Sequence, residues 1–273
     1  MAEPIKNILL TCGVGDFLAL ICYMTEKERK SVETIYYATR ARKLVQQLTP
    51  FVFPSLKEEI VIFEDFTTQD QINSDPLNPV LLKNFCIRNI EELKEKKVES
   101  IPEDIADFSI EPLMKEISSG RRKFRRPDEL ISTPLSGRMV PGKKYCVIHP
   151  WSENQKQETR DLNFVECQKL SNFIQDQGMV GIVVNQSGFY FPIEAPHIID
   201  FTNELSFLQV LELVKSASMF AGCASFPSVM ASKVLPMSEV FIKGNEAIRI
   251  CNWKFYYQPY PNNSFMHENF LWM

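Results

Sequence analysis

The chain has 273 residues, 45% of them apolar and 23% charged, with ten glycines and seventeen prolines that follow no short period. That length buries one large core or two moderate ones, and the composition excludes a peptide hormone, a collagen-like or solenoid repeat and a largely disordered chain. A formal charge of -4 with a pI near 5.6 leaves no global positive field for a polyanion, so nucleic acid is not an expected partner and any basic site is local.

In chain order, Met1 to Lys6 runs into a short apolar stretch, Ile8 to Leu10, without the long apolar region and cleavage site of a secretory signal. No stretch reaches the length of a membrane span. Seven scattered cysteines (Cys12, Cys22, Cys86, Cys146, Cys167, Cys223 and Cys251) form no C-x-x-C pair. The expectation is a soluble chain with free thiols in a reducing, cytoplasmic compartment.

Residues 5–11 are β-branched and aliphatic, a glycine turn follows, and 16–24 suits a buried helix. Residues 34–38 predict a second strand, 41–48 a helix and 60–63 a third strand. This β-then-α order favours a parallel sheet. From 80 to 97 apolar residues recur at helical spacing, and 107–117 extends the helical region. A basic run, Arg121 to Arg126, then leads into a stretch without apolar periodicity, and we place a linker over 127–143. Alternation restarts with strand 145–149, helix 164–175 stopped by Gly178, strands 180–184 and 197–200, helix 205–215, strand 219–222, helix 228–233 and strand 240–243.

The expected fold is therefore α/β, with Rossmann-like domains over 1–126 and 144–273 facing each other across a cleft. The aromatic tail from Cys251, with Trp253, Tyr256 and Trp272, is expected to pack back on the first domain. Ligands of such sheets sit at the carboxyl ends of strands, which places the expected site between the lobes.

Three constellations carry chemistry. In the first, Gly13-Val14-Gly15-Asp16 ends strand one; glycines there allow positive φ and close approach, and the helix start offers unpaired N–H groups. Leu18 stands where a dinucleotide fingerprint has its third glycine, so that reading is weak. Asp16 reads either as a helix cap or as a general base for a substrate hydroxyl. In the second, Val147-Ile148-His149-Pro150-Trp151-Ser152 is a strand ending in a polar turn, followed by Glu158-Thr159-Arg160-Asp161 before a helix. Arg160 suits a phosphate clamp with Ser152 as a neutral donor, although composition alone favours a surface pair with Glu158 or Asp161. His149 reads first as a turn or core histidine and second as an auxiliary group near phosphates. In the third, Ala221-Gly222-Cys223-Ala224-Ser225-Phe226-Pro227-Ser228 brings small residues and a hydroxyl to a helix start, as an anion corner or a plain serine cap.

Together these residues resemble the heptosyltransferase-type glycosyltransferases (ADP-heptose:lipopolysaccharide type) of GT-B fold, over both ends of the chain and most of 145–234. Gly15-Asp16 matches the family's glycine-Asp corner, His149-Pro150-Trp151-Ser152 its "HPG" turn, and Arg160 with Asn163-Phe164 its "RWP" segment. Ile198-Ile199-Asp200-Phe201-Thr202-Asn203 is similar to "I-x-D-L-T-G", and Ala224 to Ala231 to "D-S-G-x-x-H-L-A". Ala224 and Val229 stand where the family has Asp and His; Ser225 is retained.

The resemblance implies an inverting transfer of a sugar from a nucleotide-diphosphate donor to a hydroxyl of a glycan acceptor, with Asp16 as base. Gly13, Gly15, Ser152, Arg160 and Ser225 would hold the donor phosphates, and Asn185, Gln186, Asp200 and Thr202 would lie along the nucleoside. The nucleotide sugar is substrate and no cofactor is expected. The absence of a D-x-D triplet and the separation of His149, His197 and His267 point to a metal-independent enzyme. Arg121 to Arg126 reads as a solvated linker face or a peripheral membrane contact. The competing expectations are a nucleotide-sugar binding protein of the same fold without turnover, and a nucleotide-sugar epimerase or hydrolase. Oligomeric state is not legible.

Overall fold

A computed structural model describes residues 5–10, 13–37, 42–61, 106–107, 116, 119–124, 142–151, 161–185, 190–236 and 239–243. The helical region at 80–97, most of the 127–143 linker and the aromatic tail lie outside the described residues. The chain divides into two compact units, Met1–Ser132 and Thr133–Met273.

The first unit carries a parallel sheet of β1 (Asn7–Leu10), β2 (Thr34–Tyr37), β3 (Glu58–Val61) and β4 (Ala106–Asp107) in the order β3-β2-β1-β4. Between β1 and β2 come α1 (Val14–Ile21) and α2 (Glu26–Ser31); α3 (Arg42–Val45) and α4 (Thr49–Val52) precede β3. Helix α1 buries Val14, Phe17, Leu18, Ala19, Leu20 and Ile21, which is why its sequence is apolar nearly all round.

Three differences from the sequence reading have local causes. Of the helix expected over 41–48 only α3 forms, residues 46–48 make a turn, and α4 follows with Pro50 in its first turn, where the missing N–H is harmless. Strand β3 begins at Glu58 because Glu59 is used structurally: its Oε1 accepts from Tyr37 Oη at 2.6 Å and from Thr49 Oγ1 at 3.1 Å. Residue 107 is not helical: Asp107 pairs with Leu9 in a strand of two residues, too short to leave a periodic signal.

The second unit holds β5 (Tyr145–His149), β6 (Val180–Val183), β7 (Ile198–Asp200), β8 (Met219–Cys223) and β9 (Val240–Lys243), all parallel, in the order β7-β6-β5-β8-β9. Helices α5 (Phe164–Asp176), α6 (Phe207–Ser216) and α7 (Phe226–Val234) alternate with them. Every residue of β5 and β8 is buried, as a parallel sheet covered on both faces requires. Ile148, Leu170, Ile174, Val183, Ala221 and Phe241 meet in one core cluster between α5 and the sheet. Gly178, at φ 64°, ends α5 in the left-handed conformation that glycine tolerates.

In both sheets the first strand has later neighbours on either side. The chain builds outward from β1 through β2 to β3 and returns with β4 on the other flank; β5 lies likewise between β6 and β8. In open α/β sheets a ligand crevice opens at the carboxyl ends of the strands where the order reverses.

Candidate functional site

At the reversal point of the first sheet stands the Gly13–Asp16 corner. Gly13 is the N-cap of α1 with φ -72° and ψ 175°, extended backbone open to any residue, so the positive φ that glycine permits is not used there. What glycine allows here is close approach. A Cβ on Gly13 would meet Asp16 Oδ2 at 3.1 Å, because that oxygen accepts the Gly13 N–H at 2.8 Å. Asp16 thus fills the third position of the helix and closes the reciprocal half of a capping box. Gly15 is the second residue of α1 and is half-buried, as is Asp16.

At the reversal point of the second sheet, β5 ends at His149 and β8 at Cys223. His149 pairs with Gly222, and a Cβ on Gly222 would lie 2.3 Å from the His149 carbonyl oxygen, so these strand ends are pressed together. His149 is buried, its Nδ1–H donates to the Val184 carbonyl at 2.8 Å, and its ring lies 6.2 Å from that of Phe226. Burial lowers its pKa to about 4, so the imidazole is neutral near pH 7. A neutral imidazole brings no positive charge, and the ring is buried as a core histidine would be.

Ser225 is the N-cap of α7, but its hydroxyl turns back to the Cys223 carbonyl at 3.3 Å. Ser228 supplies the capping contact: its Oγ accepts the Ser225 N–H at 2.8 Å and donates to the Ser225 carbonyl at 2.7 Å. The corner therefore offers a ligand its backbone geometry rather than the Ser225 hydroxyl.

The expected nucleoside residues divide. Asp200 uses both carboxylate oxygens inside the fold, accepting the N–H of Phe191 at 3.0 Å and of Thr202 at 2.8 Å; its side chain forms the turn whose backbone is the expected nucleoside contact. Asn185, buried, follows β6 and accepts the N–H of Asn203 at 2.8 Å; Asn203 itself has φ 63°. Between them Thr202 is 4% exposed and its Oγ1 has no hydrogen-bond partner, an uncompensated polar group that a ligand or a water would satisfy. Ser152, Arg160 and Gln186 lie outside the described residues.

Sequence reading missed a clamp at the same edge. Lys243, the last residue of β9, donates to the Asp161 carbonyl at 2.8 Å and to Glu166 Oε2 at 2.6 Å, while its own carbonyl accepts the Ala224 N–H at 2.8 Å. Glu166 also accepts the N–H of Asn163 at 2.7 Å and receives a cap in return from Asn163 Oδ1 at 3.0 Å. The N-x-x-E spacing of Asn163 and Glu166 was the available signal; nothing local announces Lys243.

The basic run before the linker is only partly a solvated face. Arg122 donates to the Tyr23 carbonyl at 3.4 Å and pairs with Glu28 at 3.0 Å and with Glu116; Phe124 meets the Tyr23 ring edge-on at 6.0 Å. Arg122 is therefore committed inside the first unit, and the membrane-contact reading loses it. Arg121 and Lys123 are exposed, and Arg125 and Arg126 lie outside the described residues.

A cavity of about 580 Å³ opens at the opposite edge of the second sheet, beside Lys143, Lys144, Gly178 and His197. It lies at the amino ends of β5, β6 and β7, away from the corner formed by His149 and Cys223. Among the described residues no three His, Cys, Asp or Glu side chains converge as metal ligands, and no helix is long and apolar enough to cross a membrane.

No family model and no curated protein sequence matches this chain. Among solved structures, E. coli ADP-heptose lps heptosyltransferase II is similar over 87% of this chain and 84% of its own, at 11% identity and TM-score 0.53. The fold is heptosyltransferase-like. The parallel sheets of both units are those of a GT-B-like α/β protein. E. coli heptosyltransferase WaaC, solved with ADP, matches 87% of this chain and 86% of its own at 10% identity and TM-score 0.47. The iron-containing dodecameric glycosyltransferase TibC of enterotoxigenic E. coli matches 88% of this chain at 15% identity and TM-score 0.45, and the chain spans 57% of TibC.

Proposed function

We propose that this chain is a glycosyltransferase that moves a sugar from a nucleotide-diphosphate donor to a hydroxyl of a glycan or glycoconjugate, with inversion and without a metal. The observation that carries the reading is the corner at the reversal point of the second sheet. There α7 opens directly after β8, beside the pinched end of β5, and the positive end of this helix, with the Phe226 N–H in its first turn, would favour the charge that a leaving diphosphate gains. The heptosyltransferase-like fold supports the same placement.

In the proposed step Asp16 removes the acceptor hydroxyl proton as that oxygen bonds to the anomeric carbon; the bond to the diphosphate breaks and its electron pair leaves with the nucleoside diphosphate. Arg160, Ser152 and the start of α7 receive that charge. Asn185 and Thr202 flank the nucleoside. The unbridged, buried Cys22, Cys146, Cys167 and Cys223 suit a chain working in a reducing cytoplasm.

The test is transfer from a panel of nucleotide sugars to hydroxyl acceptors, with and without EDTA. Turnover should survive EDTA and fall by about 100-fold in Asp16→Asn. Full turnover by that variant would remove Asp16 as base.

A second reading, a nucleotide-sugar binding protein of the same fold without turnover, draws on one observation: the carboxylate of Asp16 already caps its own helix. Thermal stabilisation by nucleoside diphosphates with no product from any donor would favour it.

A further inference from the structure

We propose that the cavity at the amino ends of β5, β6 and β7 is a ligand site for a small phosphorylated molecule with an apolar body, a site that the transfer step above does not use. Its volume of about 580 Å³ falls within the range of small-molecule pockets, about 300–1,000 Å³. Lys143 and Lys144 come just before β5, Met179 just before β6 and His197 just before β7, and all four line the cavity. The site thus lies a full strand, about 13 Å along β5, from the His149 end of the sheet.

The polar groups of the lining suit an anion. No Asp or Glu belongs to it; Asp176 and Glu194, the nearest carboxylates in sequence, stay outside. Among the described residues no ion pair or side-chain hydrogen bond engages the ammonium of Lys143 or Lys144, so two cations stand unmatched beside one cavity in a chain of net charge -4. His197 is held from its other side. Its Nε2–H donates to the carbonyl of the buried Ser171 at 3.0 Å, with the Ser171 hydroxyl 3.1 Å away. That leaves Nδ1 for a ligand, as acceptor from a phosphate O–H or, once protonated, as donor to a phosphate oxygen. A phosphate monoester, whose second ionisation falls near pH 6, offers three oxygens and an O–H to two ammoniums and an imidazole; a carboxylate offers two oxygens and no O–H. Met179 and Pro196 supply an apolar wall. Gly142 and Gly178, at φ 73° and 64°, line the cavity in a conformation that side chains rarely adopt, and a Cβ on either would meet no atom within 4 Å, so this space stays open.

The test titrates the full chain with phenyl phosphate, benzoate, phenol and inorganic phosphate, read by NMR of the Gly142 and Gly178 amides and the His197 imidazole. Phenyl phosphate should move these signals saturably, bind about tenfold more tightly than the other three, and weaken as salt is added. The double variant Lys143→Gln/Lys144→Gln should bind it about tenfold more weakly. Arg121→Gln/Lys123→Gln, which removes the same charge from exposed positions of the first unit, should bind it as the wild type does. Equal losses in the two double variants would mean attraction to the surface charge as a whole and overturn the proposal. So would phenol or benzoate binding as tightly as phenyl phosphate, or signals unmoved at millimolar phenyl phosphate. Because every lining residue belongs to the second unit, these outcomes stand whether or not the chain transfers a sugar.

Discussion

Asp16 carries two jobs that one substitution separates. Its Oδ2 caps α1 through the Gly13 N–H, and an asparagine oxygen can take that N–H as well, since Asn and Asp cap helices about equally. Asp16→Asn should therefore keep its melting temperature while losing turnover, whereas Asp16→Ala should also lose about 1 kcal/mol of stability. Equal stability losses in both variants, with turnover intact, would leave the cap as the whole role. His149 gives a second expectation, read by pH. Its folded pKa of about 4 lies below the ordinary value of 6.5, so between those limits the unfolded chain binds a proton that the folded chain refuses. From this group stability is full above pH 6.5 and falls on acidification, by about 3 kcal/mol at pH 4. His149→Asn keeps an amide donor near Nδ1. The wild-type advantage over it in urea unfolding should rise from pH 4 to 6.5 and level off above; a flat difference would mean that the imidazole is solvated.

Strand pairing is most sensitive where β5 and β8 end. Gly222 has no left-handed φ, so its glycine is required by proximity alone: any Cβ would overlap the His149 backbone, which cannot rotate away as a side-chain tip can. Gly222→Ala should cost about 3 kcal/mol by overpacking and lower the denaturation midpoint, and it should also disturb the nearby α7 corner. A variant as stable as the wild type would show that the strand ends separate freely. The helices make the complementary point. Helix α2 buries none of its residues and was missed by apolar periodicity, yet Thr25 and Glu28 form a capping box through bonds of 2.6 and 3.1 Å. Its spacing was legible in the sequence as T-x-x-E. Helix α6 begins two residues later than periodicity placed it because Ser206 is its cap, with the Ser206 N–H donating to Gln209 at 2.8 Å.

Four of the seven cysteines are described, and all four are buried and unbridged: Cys22 in the first unit, Cys146, Cys167 and Cys223 in the second. Burial raises the Cys167 thiol to about 12 and the Cys146 thiol further in the same direction, so neither yields thiolate near neutral pH. Native protein should leave all four unlabelled by a thiol reagent. Under rising denaturant Cys146, Cys167 and Cys223 should become reactive together, because β5, α5 and β8 belong to one unit's core. Cys22 can follow a different curve, since its unit has its own sheet. Separate transitions for Cys146 and Cys223 would mean that the second sheet does not unfold as one body.

By itself the sequence determined what depends on near neighbours: two runs of β-α alternation, the burial of β5, β8 and α1, the stop at Gly178, and the capping spacings at Thr25, Asn163 and Ser206. Periodicity and capping are short-range, so each segment announces them alone. Tertiary structure decided what depends on which strand lies beside which. It placed β4 next to β1, pressed Gly222 against His149, turned Asp200 onto the backbone of Phe191, left Thr202 Oγ1 without a partner and drew Lys243 across to Asp161. Those contacts join residues as far apart as Ile8 and Ala106, or Asp161 and Lys243, and no local pattern encodes them. They exist only once the sheet order has been chosen by burial of the apolar faces that the local patterns create.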